Sequence, residues 1–291
     1  KKVICVDGKT KSIIQDSIGD ILDIAGLDSA NPISNIHSPA PDSLQYIIFT
    51  SGSTGVPKGA AVYNESFDNT LKWYRRLIDP QPGERCLIVS SLSFDLTQKN
   101  IFIGMMSGSV LHFIDGLVFD PQNIREQVNR HSFKWINCAP SAFSLIVENL
   151  SKNSLASIQT VVLGGEAINS QTLLQLRRDG VNTRFINSYG PTECADVAFW
   201  HEISDEDLTK GRIPIGKPIP GVYFEVSYED AQRRAGELIL KGICVGAGYI
   251  NNEGATKNSF LRLTADAGCQ RAYRTGDIVT EEADGTLAFV S

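Results

Sequence analysis

The sequence predicts an α/β fold, with a largely parallel sheet flanked by helices and then a small β-rich subdomain. Two observations carry this expectation. Between about residues 46 and 190, short apolar β-prone runs alternate with segments of helical periodicity. That is the pattern of strand–helix–strand units, whose helices cover the faces of a parallel sheet. After about His201 the pattern changes. Pro214, Gly216, Pro218, Pro220 and Gly221 punctuate the chain, and short alternating runs follow at 222–227, 236–241 and 287–290, which read as strands between turns. The expected division is an α/β core over 1–206 and a β-rich part over 207–291. A chain of 291 residues can bury a core of that size.

Taken in order, residues 2–6 read as a strand. Residues 11–24 carry Ile13, Ile14, Ile18, Ile21 and Leu22 at near-helical spacing. Residues 27–43, rich in Asp, Asn, Ser and Pro, read as a surface linker. A strand at 46–49 feeds a glycine loop. A helix over about 65–77 follows, with Phe67, Leu71, Tyr74 and Leu77 as its buried stripe. Strands are then expected at 86–90, 110–114, 134–138, 159–163 and 183–187, with helices over 96–106, 122–131, 141–150 and 170–178 between them. Ligands of such sheets sit beyond the carboxyl ends of the strands. The special loops at 50–58, 164–166 and 188–193 each follow a strand, so they are expected to converge on one sheet edge.

Composition excludes several classes. Hydrophobic content of 42% and charged content of 21% are those of a soluble globular protein. A net charge of −6 leaves no nucleic-acid footprint. No apolar run reaches membrane-spanning length, and the first residues read as a strand and not as a signal peptide. The six cysteines and four histidines are scattered without metal-ligand spacing. The cysteines read as reduced thiols of a cytoplasmic protein.

The stretch around which the chain is organised is 46–59, YIIFTSGSTGVPKG. Its loop carries Thr50, Ser51, Gly52, Ser53, Thr54 and Gly55 and closes on Pro57-Lys58-Gly59. Glycines let backbone N–H groups approach a ligand, hydroxyls donate to phosphate oxygens, and the lysine adds a compact charge. The pattern is not a P-loop: Gly52 and Gly55 stand too close together, and Gly59 occupies the place of Ser or Thr.

Four further stretches bear on chemistry. Asn187-Ser188-Tyr189-Gly190-Pro191-Thr192-Glu193 ends a strand in a tight turn that offers a ring, a hydroxyl and a carboxylate. Tyr189 can stack on a base, Thr192 can donate to a phosphate, and Glu193 can hold Mg²⁺, which shares carboxylate oxygen with substrate phosphates. In Tyr273-Arg274-Thr275-Gly276-Asp277, the carboxylate can accept ribose hydroxyls, although such turns are also common between strands. Leu163-Gly164-Gly165-Glu166 leaves room for a flat ring at a strand end. The glycines of 236–249 serve tight turns, and no chemistry is assigned there.

These five stretches, in this order and spacing, resemble the core motifs of the adenylate-forming (AMP-binding) enzymes over nearly the whole chain. Ser93-Phe94-Asp95 is similar to the amino-acid-activating branch, the adenylation domains of nonribosomal peptide synthetases. The resemblance implies a reaction of a carboxylate with ATP, giving an acyl-adenylate and pyrophosphate, with Mg²⁺. The acyl group then passes to a carrier-protein thiol, and a condensation domain is expected in the same parent.

The residue roles follow from the same resemblance. Thr50, Lys58, Thr192 and Glu193 are implied as catalytic, with Glu193 also holding the metal. Thr50–Gly55, Lys58, Gly164, Gly165, Glu166, Asn187, Ser188, Tyr189, Gly190, Thr192 and Asp277 are implied to hold the nucleotide. Asp95 is implied to pair with the substrate's α-amino group, and as a bare residue it also suits a helix N-cap. The side-chain pocket would be lined by Asp95, Leu96, Lys99, Ser141, Val162, Gly164, Ser188, Asp196 and Val197. If Lys99 pairs with Asp196, a neutral polar side chain fits; if it does not, an acidic one is favoured. Lys99 could also be a solvated helix residue.

The sequence also departs from the family pattern. Asn64 stands where a histidine is usual, and the stretch between Val226 and Gly236 is short. The family's first segment and its mobile C-terminal subdomain, which supplies a catalytic lysine, are expected to fall outside this chain. The fragment alone is therefore expected to adenylate weakly. Two other functions remain open at this point: an acyl- or aryl-CoA ligase, and a non-catalytic adenylation-like binding scaffold.

Overall fold

The computed structural model describes residues 2–5, 20–23, 38–51, 56–114, 119–148, 150, 152–228, 235–262, 271–282 and 284–290. The chain divides into two compact units, Lys1–Pro39 and Ala40–Ser291. In the first, β1 (Lys2–Cys5) pairs in parallel with β2 (Asp20–Asp23), Lys2 opposite Asp20. The helical spacing read over 11–24 is corrected at 20–23, which is strand; the rest of that span lies outside the described residues. Ile21 and Leu22 sit equally well on either periodicity, and pairing with β1 satisfies the backbone.

The second unit begins with β3 (Leu44–Thr50) and β4 (Lys58–Tyr63), an antiparallel hairpin. Helix α1 (Asn64–Ile78) follows and buries Phe67, Leu71, Tyr74 and Leu77, the stripe its periodicity predicts. It stops at Asp79, which turns left-handed (φ 47°) and donates its N–H to the Arg75 carbonyl.

The parallel sheet is built from β5 (Arg85–Ile88), β6 (Val110–Phe113), β7 (Trp135–Cys138), β8 (Thr160–Gly164) and β9 (Arg184–Tyr189). Between the strands run α2 (Asp95–Ser107), α3 (Pro121–Arg130), α4 (Pro140–Val147), the short α5 (Lys152–Leu155) and α6 (Ser170–Arg178). Helix α3 shows why these residues start helices. Asp120 accepts from the N–H groups of Gln122 and Asn123, and Pro121 fills the first helical position.

β10 (Phe199–Glu202), α7 (Asp205–Lys210) and β11 (Lys217–Pro218) complete the sheet, in spatial order β11-β10-β9-β8-β7-β5-β6. The last two additions, β10 and β11, are antiparallel. In β8, Val161 and Leu163 pack into one core and Val162 into the other. Burial on both faces explains why its sequence is a continuous apolar run and not an alternation.

A five-stranded sheet then takes over. β12 (Val222–Ser227), β13 (Ala235–Gly242), β15 (Phe260–Arg262), β16 (Arg271–Glu281) and β17 (Leu287–Phe289) are antiparallel throughout. The short β14 (Gly248–Tyr249) leaves this sheet and pairs with β4, and α8 (Glu253–Ser259) follows it. The loop at 50–58 therefore does not sit on the parallel sheet, as the order of strands suggested. It closes a hairpin in a separate three-stranded sheet, β14-β4-β3. The hairpin's two runs are close enough in sequence to pair with each other, which an open parallel edge cannot offer. Among the described residues, no helix is long and apolar enough to cross a membrane.

Candidate functional site

The β3–β4 hairpin brings Thr50 opposite Lys58, and the Thr50 hydroxyl donates to the Lys58 carbonyl at 3.4 Å. Gly52, Ser53, Thr54 and Gly55 lie outside the described residues. The Lys58 ammonium stands 5.2 Å from the centre of the Tyr249 ring, a cation–π distance. β14 is tied to the hairpin by Ala247 N–H to the Ala61 carbonyl and Ile250 N–H to the Gly59 carbonyl. Tyr249 is thereby set beside Lys58.

β9 delivers the second part. Its strand ends at Tyr189, and Thr192–Cys194 form one 3-10 turn. Gly190 is required by packing, since a Cβ there would lie 2.6 Å from the Asp196 carbonyl oxygen. Ala195 (φ 59°) and Asp196 (φ 71°) are consecutive non-glycine residues in the left-handed region, an arrangement that stores strain and gathers at functional sites. The turn leaves Glu193 only 7% exposed. Tyr249 donates to Glu193 Oε1 at 2.6 Å, and its hydroxyl also lies 3.2 Å from that of Tyr273. Burial, then the Glu193 hydrogen bond, pushes the Tyr249 phenol up, so it stays a donor.

These groups line one cleft of about 410 Å³, which includes Thr50, Ser51, Lys58, Glu193, Tyr249 and Tyr273. Three sheets therefore converge here; of the three loops expected to meet at one sheet edge, 50–58 and 188–193 contribute to this cleft and 164–166 does not line it. Thr192 is half-buried on the same turn as Glu193. Among the described residues, no group of three or more His, Cys, Asp or Glu side chains could hold a metal alone. A cation at Glu193 would thus complete its shell with ligand oxygens.

Asp277 follows Gly276 (φ 77°) in β16, and its Oδ2 accepts from the Tyr189 hydroxyl at 2.5 Å. Burial raises its carboxyl pKa and this hydrogen bond lowers it, burial being the stronger. Gly164 meets Ser188, and a Cβ on it would lie 2.6 Å from the Ser188 oxygen Oγ. Gly165 (φ 83°) faces open space. The exposed Glu166 accepts from Ser141 N–H at 3.1 Å, at the start of α4. Its carboxylate thus caps a helix that has no cap of its own. Asn187 donates to the Pro214 carbonyl and Ser188 to that of Leu163, so both are engaged in holding β9.

Of the residues expected to line the side-chain pocket, Asp95, Leu96 and Lys99 lie on α2. Phe94 holds the N-cap position, Asp95 opens the helix, and Asp95 Oδ1 accepts from Leu96 N–H at 2.9 Å. The Leu96 carbonyl accepts from Lys99, Asn100 and Asn137. Lys99 is 0% exposed and pairs with Asp196 at 2.5 Å, so it is not a solvated helix residue. Its ammonium also lies 5.4 Å from the Tyr74 ring centre. Burial pushes the Asp196 carboxyl up to about 6, against the pull of Lys99 and with a further push from Asp95. Val162 and Val197 are fully enclosed in the main core, while Ser141 is exposed.

The family model of AMP-binding enzymes matches residues 5–250. This chain belongs to the AMP-binding enzymes. It is 29% identical over 261 residues to indigoidine synthase of Streptomyces lavendulae, a match that covers 87% of this chain and 20% of that protein. It is 30% identical over 258 residues to surfactin synthase subunit 2 of Bacillus subtilis, covering 85% of this chain and 7% of that one. The chain thus spans a fifth or less of the length of these curated relatives. Among solved structures, the nonribosomal peptide synthetase FmoA3 superposes with a TM-score of 0.84 at 25% identity, over 100% of this chain and 32% of that one. PA1221, a nonribosomal peptide synthetase protein containing adenylation and PCP domains, gives 0.81 at 28%, over 94% and 56%.

The sequence did not single out Tyr249 for this cleft, nor Glu237 and Arg274. Glu237 lines the same cleft, pairs with Arg274 at 2.5 Å and accepts from Gly276 N–H. Glu237 and Tyr249 stand in the glycine-rich stretch to which no chemistry was assigned. A tyrosine directly after a glycine carries no pattern of its own, and only the pairing of β14 with β4 reveals its place.

Proposed function

We propose that this chain is the amino-acid-adenylating core of a nonribosomal peptide synthetase. The observation that carries the proposal is the convergence of Lys58 and Glu193 on Tyr249 in one cleft. A cation and a half-satisfied carboxylate beside the hydroxyls of Thr50 and Ser51 suit a triphosphate and its metal. The amino-acid carboxylate attacks the α-phosphorus of ATP, a new P–O bond forms, and the bond to the bridging oxygen breaks as pyrophosphate leaves. Little covalent work is asked of the protein, so positioning and charge stabilisation supply the catalysis. The solved AMPPNP-bound form of FmoA3, 25% identical to this chain, supports ATP as the nucleotide.

Each residue keeps a defined task in this reading. Lys58, Thr50, Ser51 and Thr192 donate to phosphate oxygens. Glu193 fits Mg²⁺ through the oxygen that Tyr249 leaves open, and Mg²⁺, when bound, supplies charge neutralisation at the departing pyrophosphate. Asp277 accepts ribose hydroxyls, the Tyr189 ring and Gly164–Gly165 accommodate the base, and Asp95 pairs with the α-ammonium. Because Lys99 is neutralised by Asp196, the substrate carries a neutral polar side chain. The aminoacyl group then passes to a carrier-protein thiol, as the adenylation–PCP architecture of PA1221 supports, and a condensation domain receives it. The thiols of Cys86, Cys138, Cys194 and Cys244 are unpaired, in keeping with the cytoplasm.

The test is amino-acid-dependent exchange of pyrophosphate into ATP by the full-length protein, over a panel of amino acids, aryl acids and fatty acids. Exchange with one neutral polar amino acid is expected. Exchange only with acids that lack an amine would move the chain to the acyl- or aryl-CoA ligases.

A further inference from the structure

Tyr46 lies on β3, four residues before Thr50, and its ring meets that of Phe67 edge-on with centroids 5.2 Å apart. The ring packs against the main core. Its hydroxyl is closed off from solvent, yet it has no hydrogen-bond partner among the described residues. Native proteins rarely leave such a group unpaired, because desolvating it without compensation is costly and a phenylalanine would avoid the cost. An orphaned hydroxyl of this kind is therefore a pointer to something that binds.

The surroundings identify the chemistry. Besides burial, the groups that bear on this hydroxyl are the carboxylates of Asp95 and then Asp196. All three influences keep its proton on, so it stays neutral and offers two lone pairs. Asp95 and Asp196 contribute two negative charges to the pocket and Lys99 one positive charge, and Lys99 is committed to Asp196. The balance is one negative charge, on the half-buried Asp95, which a single cation with several N–H donors completes. A primary ammonium has that charge and three donors.

We infer that the Tyr46 hydroxyl is a second ligand for the α-ammonium of the substrate, accepting one of its N–H groups while Asp95 takes another. The inference rests on the amino-acid-adenylation reading and adds to it a residue from a different sheet. It makes Tyr46 a determinant of amine recognition and gives the β3–β4 hairpin contact with both substrates, through Tyr46 and through Thr50 and Lys58.

The experiment uses the full-length protein and its Tyr46→Phe variant with the amino acid found active in pyrophosphate exchange. Two competitive inhibitors are compared: the amino alcohol of that amino acid, which keeps the amine, and the corresponding acid without the amine. Tyr46→Phe is expected to raise the KM for the amino acid and the Ki of the amino alcohol on the order of tenfold, the scale of a hydrogen bond to a charged group. The Ki of the amine-free acid and the KM for ATP should not move. The melting temperature should stay level or rise, because an unpartnered hydroxyl is removed and the ring is kept. Unchanged amino-acid affinity would mean that the hydroxyl meets only water, and would overturn the inference while leaving the adenylation reading intact. So would an equal loss for both inhibitors, or a fall of several degrees in melting temperature. Absence of exchange by the unaltered protein with every amino acid would overturn the reading itself, and the inference with it.

Discussion

Lys99 and Asp196, 97 residues apart in the chain, meet at 2.5 Å in a place where the lysine is wholly enclosed. α2 supplies the cation from its second turn, and the left-handed turn after Glu193 supplies the anion. Each is tolerable there only because of the other, since an uncompensated charge in such a site is costly. The pair also fixes the sign of the pocket, leaving Asp95 as the charge without a cation of its own. The strained φ angles at Ala195 and Asp196 are thus coupled to a specific electrostatic outcome.

Lys99→Met should accordingly be the more damaging change at high pH. It leaves Asp196 ionised without a partner, at a cost of about 3 kcal/mol by analogy with other broken buried pairs. Without the pull of Lys99 the carboxyl takes up a proton at a higher pH than in the unaltered protein, and once it is protonated the cost shrinks. The double variant Lys99→Met/Asp196→Asn, with no charge to compensate, should recover at least about 1 kcal/mol of the loss. Urea denaturation of the three proteins at pH 5 and pH 8 measures this. Equal stability of the single variant and the unaltered protein at pH 8 would show that the pair holds nothing.

On the proposed amino-acid reading, the raised Asp196 pKa predicts that amine binding depends on pH. As pH falls through about 6, Asp196 gains a proton and the pocket loses its net negative charge. The KM for the amino acid should then rise, and Asp196→Asn should flatten that rise. Stability moves the other way. In the unfolded chain an aspartate releases its proton near pH 4, so between about pH 4 and 6 the folded protein holds a proton that the unfolded one lacks. The Asp196 contribution to stability is therefore full below that window and lost as pH rises through 6. Exchange kinetics and urea midpoints from pH 5 to 8 check both signs, and a flat amino-acid KM across the range would remove Asp196 from substrate binding.

Much of this was legible in the residues. The strands of the parallel sheet are short apolar runs, and helices such as α1 and α6 show their own periodicity, so the order of elements could be read directly. The residues of the Tyr-Gly-Pro-Thr-Glu turn and of the hairpin stood out because glycine, proline and charge are concentrated there. Long-range pairing could not be read. Nothing local says that Tyr249 joins β4, that Glu166 caps α4, or that Lys99 meets Asp196 and not solvent. α2 illustrates the reason. It buries Thr97, Lys99 and Asn100, and the last two reach partners on other elements, Lys99 meeting Asp196 and Asn100 meeting Tyr74 and Trp135, so its sequence lacks the apolar stripe that usually marks an inner face.

Glu193 and Tyr249 separate charge from position. Glu193→Gln keeps an oxygen to accept from Tyr249 but loses the anion, so the fold should persist while exchange falls by roughly 10²–10³-fold. Tyr249→Phe keeps the anion and removes the donor that orients it. Its effect should appear as a weaker Mg²⁺ requirement curve, shifted on the order of tenfold to higher metal concentration, as for other groups that hold a metal ligand in place. Titrating exchange activity with Mg²⁺ distinguishes the two. Full activity in Glu193→Gln would take the residue out of the metal role.

Asp277 and Tyr189 offer a parallel case on the nucleotide side. The 2.5 Å hydrogen bond from Tyr189 occupies Oδ2, and in the proposed reading Oδ1 is the oxygen that accepts from the ribose. Asp277→Ala should raise the KM for ATP about 10–100-fold, the range of charged hydrogen bonds, with much less effect on 2′-deoxy-ATP or 3′-deoxy-ATP. The preference for the ribonucleotide should then collapse. Tyr189→Phe keeps the carboxylate but removes the contact that lowers its pKa. With burial unopposed, the carboxyl gains its proton at a higher pH, and kcat/KM for ATP should begin to fall at a higher pH than in the unaltered protein. Comparing ATP with its two deoxy analogues for each variant, across pH, reads both effects. If the ribonucleotide preference survives Asp277→Ala, the ribose is held elsewhere.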